Sequence, residues 1–124
     1  MVAVDTSTWI AYIQNQEGRD VELLDACLAS ANMAFPQVVL AEILSEPTLP
    51  DRDRAIVLGL PTIEISEGYW ARAAATRAKV LRQGLRARLP DALITQSCLD
   101  HDLPLLTRDG DFRHFAKHCG LKFA

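Results

Sequence analysis

The chain has 124 residues, of which 49% are hydrophobic and 23% are charged, and its formal net charge at pH 7 is −3. These values are ordinary for one globular domain with a hydrophobic core, and the sequence contains no repeat, linker or low-complexity segment. No apolar run approaches membrane-spanning length, and no export signal is apparent. We therefore expect a cytoplasmic protein in which Cys27, Cys98 and Cys119 are reduced thiols.

Short apolar segments alternate along the chain with segments of helical periodicity. The predicted strands are residues 2–4, 33–35, 62–65, 105–107 and 121–123. The predicted helices are residues 7–14, 19–31, 36–45, 51–58, 66–84, 90–101 and 111–115. Pro36 suits the first turn of the third helix, and Ser66 is expected to cap the fifth.

Alternating strands and helices are typical of a parallel sheet that helices cover on both faces. We therefore predict an α/β protein, a three-layer α/β/α single domain over residues 1–124 with a central parallel sheet. In open sheets of this kind, functional sites form beyond the carboxyl ends of the strands. Asp5 and Asp109 both follow predicted strands, so we expect their carboxylates to lie close together.

Two further acidic residues border apolar segments. Glu42 shares its helical stripe with Val39 and Ile43 and has no basic residue within a helical turn, so we expect its side chain to face the protein interior. Asp91 opens a later helix. The acidic residues expected to meet are Asp5, Glu42, Asp91 and Asp109. Because clustered carboxylates repel and lose hydration, such a group favours a hard divalent cation with oxygen ligands.

Most of these acidic residues also have a simpler structural explanation. Asp5 could cap the first helix, although neighbouring hydroxyl residues could do so equally well. An acidic residue at position 91 is favoured by the helix dipole, and Asp109-Gly110 is an ordinary turn pair. Asp111 either replaces Asp109 as a ligand or caps the short helix that follows. The joint placement of these residues at the ends of elements favours the metal site.

Two other patterns have chemical interpretations. Basic residues concentrate without intervening acids between residues 72 and 88, which indicates either a polyanion-binding strip or a solvated helix face. A cysteine and three histidines imitate the ligand spacing of a zinc finger. These four residues are Cys98, His101, His114 and His118. Because Cys98 falls within a predicted helix, where a finger needs a hairpin, we do not expect zinc there.

Residues 89–94 and 103–112 resemble the C-terminal signature of PIN-domain proteins, and most of all the VapC-type toxins of prokaryotic toxin–antitoxin pairs. Residues 4–7 and 40–43 match the other two motifs of that family, in the same order. The resemblance spans nearly the whole chain. It implies that the four acidic residues form the family's catalytic and metal-binding quartet, with Ser7 orienting the site and Asp111 as an accessory residue.

The resemblance also implies an activity and partners. The expected activity is a Mg²⁺- or Mn²⁺-dependent endoribonuclease that hydrolyses RNA phosphodiesters through metal-activated water, as the toxin of a type II toxin–antitoxin pair. The expected partners are the RNA substrate, a small antitoxin that blocks the acidic site, and a second copy in a homodimer formed by the apolar surface of the first helices. The residues expected to hold the RNA backbone are Arg77, Arg82, Arg86 and Arg88.

Two other functional classes are compatible with an α/β chain. A catalytically idle PIN-like module that binds RNA or protein would share the fold, but the intact acidic quartet argues against it. A phosphoacceptor signalling domain needs an acceptor aspartate after the middle strand and a lysine after the last one. Ser66 and Arg108 follow the strands in question, so this second class is not predicted.

Overall fold

The structure is a computed structural model that describes all residues, 1–124. The strands are β1 (Val2–Val4), β2 (Met33–Ala34) and β3 (Leu105–Leu106). The helices are α1 (Thr6–Ile13), α2 (Arg19–Ala29), α3 (Gln37–Leu44), α4 (Asp51–Leu58), α5 (Tyr69–Leu81), α6 (Leu89–His101) and α7 (Arg113–Cys119), with a 3₁₀ turn at Gly110–Phe112. None of these helices is both long and apolar enough to span a bilayer.

The three strands form a parallel sheet in the order β2-β1-β3. Ala3 and Val4 of the central strand are both 0% exposed. Because successive side chains of a strand point to opposite faces, both faces of the sheet are covered. Leu105 and Leu106 of β3 are likewise buried. The predicted α/β architecture with a central parallel sheet is therefore confirmed.

Two predicted strands are reduced to single bridges at the sheet edges. Thr62 pairs in parallel with Phe35, and Phe123 pairs in parallel with Leu105, so residues 62–65 and 121–123 do not form full strands. The predicted cap of α5 is also wrong. Ser66 precedes a turn at residues 67–68, and Gly68, with φ of 80°, directly precedes the helix. A glycine adopts this left-handed conformation without strain.

The connections of the sheet place several acidic residues at one edge. Strand β1 passes into α1 through Asp5, and β3 passes through Asp109 into the 3₁₀ turn. Parallel strands end on the same side, so these two junctions are neighbours. Pro36 joins the bridge residue Phe35 to α3, which carries Glu42 toward the same edge.

Candidate active site

Asp5 is held at the end of β1 by two hydroxyl groups. Its Oδ2 accepts hydrogen bonds from Oγ of Ser7 at 2.7 Å and from Oγ1 of Thr107 at 2.8 Å. Its carboxylate makes no hydrogen bond to the backbone of α1, so the side chain does not serve as a helix cap. Asp5 is only 5% exposed, and the two donors compensate part of the hydration that burial removes from its carboxylate.

The turn after β3 is shaped by two bonds from backbone groups to side chains. Oγ1 of Thr107 accepts from the backbone N–H of Asp109 at 3.0 Å, and Oδ1 of Asp109 accepts from the backbone N–H of Asp111 at 2.9 Å. Asp109, rather than Asp111, therefore caps the 3₁₀ turn. This use of Oδ1 leaves Oδ2 of Asp109 facing the neighbouring acidic residues.

Asp91 lies in the first turn of α6 and is 7% exposed. Burial raises the pKa of its carboxyl group to about 6, and the nearby carboxylates of Asp109 and Asp5 act in the same direction. The Arg88 guanidinium opposes this rise. A helix-start acid in contact with water would keep an ordinary pKa, so the helix dipole alone does not account for the surroundings of Asp91.

Glu42 is more accessible than the sequence pattern predicts. Val39 and Ile43 on the same helix are buried, whereas Glu42 is exposed. The expectation that it faces the interior is therefore wrong, because the position opens into a surface pocket. Its Oε1 accepts from Oγ1 of Thr6 at 3.0 Å. Loss of hydration at the carboxyl group raises its pKa, the Thr6 bond and Arg88 lower it, and Asp5 raises it.

These residues surround one polar pocket of about 140 Å³ that has no hydrophobic residue in its lining. The lining residues are Asp5, Thr6, Ser7, Glu42, Arg88, Pro90, Asp91 and Asp109. All four acidic residues that the sequence singled out are among them, although they come from four separate parts of the chain. With roughly 30 Å³ per liquid water, the pocket has room for a small ion together with a few water molecules.

Three carboxylates near the pocket form a set of possible metal ligands. One side-chain oxygen from each of Asp91, Asp109 and Asp111 lies within 4.8 Å of the other two. Asp111, expected only as an accessory residue, thus stands beside two members of the quartet. Oxygen donors of this charge and number suit a hard divalent cation such as Mg²⁺ or Mn²⁺.

A guanidinium group stands among the same carboxylates. Nε of Arg88 lies 3.4 Å from Oδ2 of Asp91, and its Nη2 lies 3.3 Å from Oδ2 of Asp109 and 3.3 Å from Oδ2 of Asp111. No basic residue lies within a helical turn of Glu42 in the sequence, but Arg88 lowers the pKa of the Glu42 carboxyl group from across the pocket.

The four arginines assigned to RNA have different surroundings. Arg77 is half-buried and donates from Nε to the carbonyl oxygen of Ala87 at 2.8 Å, which fixes the loop between α5 and α6. Arg82 and Arg86 are exposed. Arg88 lies in the acidic pocket. Only Arg82 and Arg86 therefore have the free guanidinium groups that the predicted strip requires.

The zinc-finger spacing does not correspond to a cluster in space. Cys98 is 1% exposed within α6, and burial raises the pKa of its thiol to about 12. His101 makes a hydrogen bond of 2.8 Å with the carbonyl oxygen of Glu64 instead. Neither residue belongs to a group of converging ligands. Cys98 and His101 therefore do not converge with other cysteine or histidine side chains.

Two threonines of the site were not selected from the sequence. Thr6 binds Glu42, and Thr107 binds Asp5 as well as the backbone of Asp109. Thr107 follows β3 directly, so the rule that selected Asp5 and Asp109 from strand ends would also have found it. Thr6 gives no comparable signal, because hydroxyl residues are common at helix starts.

The neighbouring Arg108 points away from the pocket and anchors the β3 turn to α2. Its Nη2 lies 2.8 Å from Oδ1 of Asp20, and its Nε donates to Oδ2 of the same carboxylate at 2.9 Å. Thr8 donates to that Oδ2 as well, at 2.9 Å. This two-pronged ion pair is directional, and it holds the backbone that carries Asp109.

Comparisons with known proteins identify the family. The family model for the PIN domain matches residues 2–118. The fold is similar to a chain of VapBC2 from Rickettsia felis bound to a DNA fragment from their promoter, with a TM-score of 0.76 and 18% identity, covering 100% of this chain and 98% of that one. It is also similar to a chain of VapBC-5 from Mycobacterium tuberculosis, a member of the VapBC family of toxin–antitoxin systems. That match has a TM-score of 0.67 and 21% identity and covers 98% of this chain and 95% of the other. At these identities the two structures show a shared fold, and the family match over nearly the whole chain shows that this protein belongs to the PIN domain family.

Proposed function

We propose that the protein is a metal-dependent endoribonuclease and the toxin of a type II toxin–antitoxin pair. The observation that carries the proposal is the convergence of Asp5, Glu42, Asp91 and Asp109 on one polar pocket in a PIN-domain chain. Clustered, mutually repelling carboxylates, two of them buried, are unfavourable for folding alone. A cation-dependent function would explain why these four residues share one pocket.

The ligands proposed for Mg²⁺ or Mn²⁺ are the four residues of the quartet, with Asp111 as an accessory oxygen donor. The compact group of Asp91, Asp109 and Asp111 supports three of these ligands, because its oxygens are close enough to share an ion. Asp5 and Glu42 are included because their side chains line the same pocket. When bound, the ion would activate water for attack on a phosphodiester and stabilise the charge on the leaving oxygen.

The remaining polar residues would orient these carboxylates. Ser7 and Thr107 fix Oδ2 of Asp5, and Thr6 fixes Oε1 of Glu42. Such bonds matter because a carboxylate must keep its direction as the charge in the site changes. Arg82 and Arg86 would contact RNA phosphates outside the pocket, where they set the position of the strand without reading its sequence.

An apolar groove next to the acidic pocket suits the proposed antitoxin. Trp9, Ile10, Ile13, Ile43 and Leu49 line a cavity of about 350 Å³ there, and Glu42 and Thr6 border both cavities. Ile10 and Ile13 are 41% and 38% exposed. A peptide that buries its apolar residues in this groove could extend a cationic side chain to the carboxylates and block them.

The expected homodimer would be formed by the same apolar residues of α1 that line the groove. The antitoxin and a second copy of the chain would then compete for this surface. Light scattering of the purified protein, alone and with a cationic amphipathic peptide, would measure this competition.

The cytoplasmic location also stays a prediction.

One observation favours the alternative of a catalytically idle binding module. Arg88 already neutralises part of the acidic group, as it would in a site that no longer binds metal. The two functions differ in whether RNA is cut when metal is supplied.

A cleavage assay distinguishes them. Purified protein is incubated with end-labelled single-stranded RNA in Mg²⁺, in Mn²⁺ and in excess chelator. The nuclease should cut only with metal, and Asp109→Asn should abolish cutting. Asp102→Asn, at a residue whose side chain is 91% exposed far from the pocket, is the matched control and should cut normally. RNA binding without cleavage in Mg²⁺, in Mn²⁺ and in chelator alike would identify the idle module.

A further inference from the structure

The acidic pocket contains its own cation. The Arg88 guanidinium contacts all three carboxylates of the possible ligand group, at 3.3–3.4 Å. A single nitrogen, Nη2, lies between the Oδ2 atoms of Asp109 and Asp111. The guanidinium therefore binds the same three carboxylates that a shared metal ion would need.

The Arg88 guanidinium and a metal ion cannot both bind these oxygens without electrostatic repulsion between the two cations. A hard divalent ion binds carboxylate oxygens at about 2.0–2.6 Å, so it would stand within a few ångströms of the arginine charge. Like charges at that separation repel strongly in a site that is partly shielded from water. The two cations are expected to exclude each other.

The environment of Arg88 allows it to leave. The residue lies in the loop just before α6, and its side chain is 46% exposed, so it can turn outward without disturbing the core. Arg108 provides a contrast, because its guanidinium is tied to Asp20, Gln16 and the backbone of Glu17. Arg88 contacts only the acidic group.

We propose that Arg88 is the internal counterion of the acidic site, and that its guanidinium must leave the carboxylates before a divalent cation can bind. In the metal-free protein it limits the repulsion between Asp91, Asp109 and Asp111. The proposal rests on the metal site of the proposed function. It assigns Arg88 a role in the metal-free site, in addition to the contact with the RNA backbone that is expected once the guanidinium has left the carboxylates.

The test is a titration of the protein with Mn²⁺ in the absence of RNA. Calorimetry and the electron paramagnetic resonance signal of free Mn²⁺ both measure the affinity. Arg88→Gln should bind Mn²⁺ roughly tenfold more tightly than the wild type, since a competing positive charge has been removed. Arg86→Gln removes an equal charge two residues away, from an exposed side chain outside the pocket. It should change the affinity by less than about twofold.

A second measurement tests the role of Arg88 as a counterion. Without metal, Arg88→Gln should lower the melting temperature, and saturating Mn²⁺ should raise it by more than in the wild type. Arg88→Lys, which keeps the charge but not the planar fork, should give intermediate values of both quantities. Equal Mn²⁺ affinity and equal melting temperature in wild type and Arg88→Gln would overturn the inference and leave the proposed nuclease standing. Failure of all these proteins to bind Mn²⁺ would overturn the metal site and the inference with it.

Discussion

Thr107 donates a hydrogen bond of 2.8 Å to Oδ2 of Asp5, although 102 positions separate the two residues in the chain. The bond ties the carboxyl end of β3 to the carboxyl end of β1, its neighbour in the sheet. The same Oγ1 accepts the backbone N–H of Asp109 at 3.0 Å. One hydroxyl group thus sets the relative positions of two members of the acidic quartet.

Removal of this hydroxyl should weaken both the fold and the site. Thr107→Val keeps the shape but leaves the N–H of Asp109 without its acceptor and removes one of the two hydroxyl donors to Oδ2 of Asp5, so the free energy of unfolding should fall by roughly 1–2 kcal/mol. Mn²⁺ affinity should fall as well, because Asp5 and Asp109 lose their common anchor. Thr107→Ser is the matched control and should retain both properties. Urea denaturation and metal titration measure them, and a valine variant with unchanged metal affinity would show that the hydroxyl serves stability alone.

Asp91 gives the metal-free protein a specific pH dependence. Burial first, then the carboxylates of Asp109 and Asp5, raise its pKa to about 6, above the value of about 3.9 in an unfolded chain. Protonated Asp91 therefore favours the folded state. This contribution is complete below about pH 4 and disappears as the pH rises through about 6.

Asp91→Asn should remove that dependence, because asparagine is uncharged at every pH. In chelator, the variant should be more stable than the wild type at pH 7.5 by roughly 1–2 kcal/mol, and the difference should shrink at pH 5. The variant should also lose RNA cleavage. Asp102→Asn is the control and should follow the wild type at both pH values. Equal loss of stability at pH 5 and pH 7.5 would mean that the ion pair with Arg88 outweighs burial.

The meeting of Asp5 and Asp109 at one pocket could be predicted from the sequence because both residues follow a simple rule. Asp5 and Asp109 stand at strand ends, and parallel topology brings such ends together. The surroundings of Glu42 and Arg88 could not be predicted in this way. Helical periodicity places Glu42 on the buried stripe but cannot show that a pocket opens there. Arg88 belongs to a basic segment by sequence, and its contacts with Asp109 and Asp111 depend on how α6 meets β3.

The predicted lengths of the two edge strands, residues 62–65 and 121–123, were too great for a related reason. Alternation of side chains around Thr62 and Phe123 describes local shape, whereas strand length depends on how many residues of a neighbour remain available for pairing. Strand β2 and its extension at Phe35 offer only one partner to Thr62 before Pro36 turns the chain into α3.

Glu42 should lose a proton when metal binds. Its pKa is raised, chiefly because the carboxyl group is partly removed from water, and ligands must be deprotonated to coordinate. Calorimetric titration with Mg²⁺ in buffers of different ionisation enthalpy should therefore show proton release at acidic pH, and Glu42→Gln should release fewer protons. Glu46→Gln, four residues further along at a fully exposed carboxylate, is the control. Equal release from the Glu42 variant and the wild type would place Glu42 outside the metal site.

Arg82 and Arg86 should contribute to RNA binding through charge alone. Replacement of both by glutamine should weaken binding to unrelated single-stranded RNAs by similar factors. The slope of log affinity against log salt concentration should flatten by roughly 0.7 for each phosphate that the variant no longer neutralises. Arg19→Gln with Arg52→Gln removes the same charge from two exposed positions in the acidic half of the chain, and it should leave the slope unchanged. An unaltered slope in the first variant would identify a solvated helix face or a protein-binding surface.

Arg88 should couple the binding of RNA to the binding of metal. When the Arg88 guanidinium has left the carboxylates, it can contact a phosphate of the RNA backbone. A phosphate that binds the guanidinium in this outward position leaves the carboxylates free to bind a divalent ion. RNA should then tighten Mn²⁺ binding by roughly fivefold or more, and Mn²⁺ should tighten RNA binding by the same factor, because coupling between two ligands is reciprocal. A phosphorothioate single strand keeps the backbone charge and slows cleavage during the measurement. Arg88→Gln should lose most of the coupling while it binds Mn²⁺ tightly without RNA, and Arg86→Gln should keep it. Undiminished coupling in Arg88→Gln would mean that the RNA phosphate contacts the ion directly and that Arg88 takes no part in the exchange.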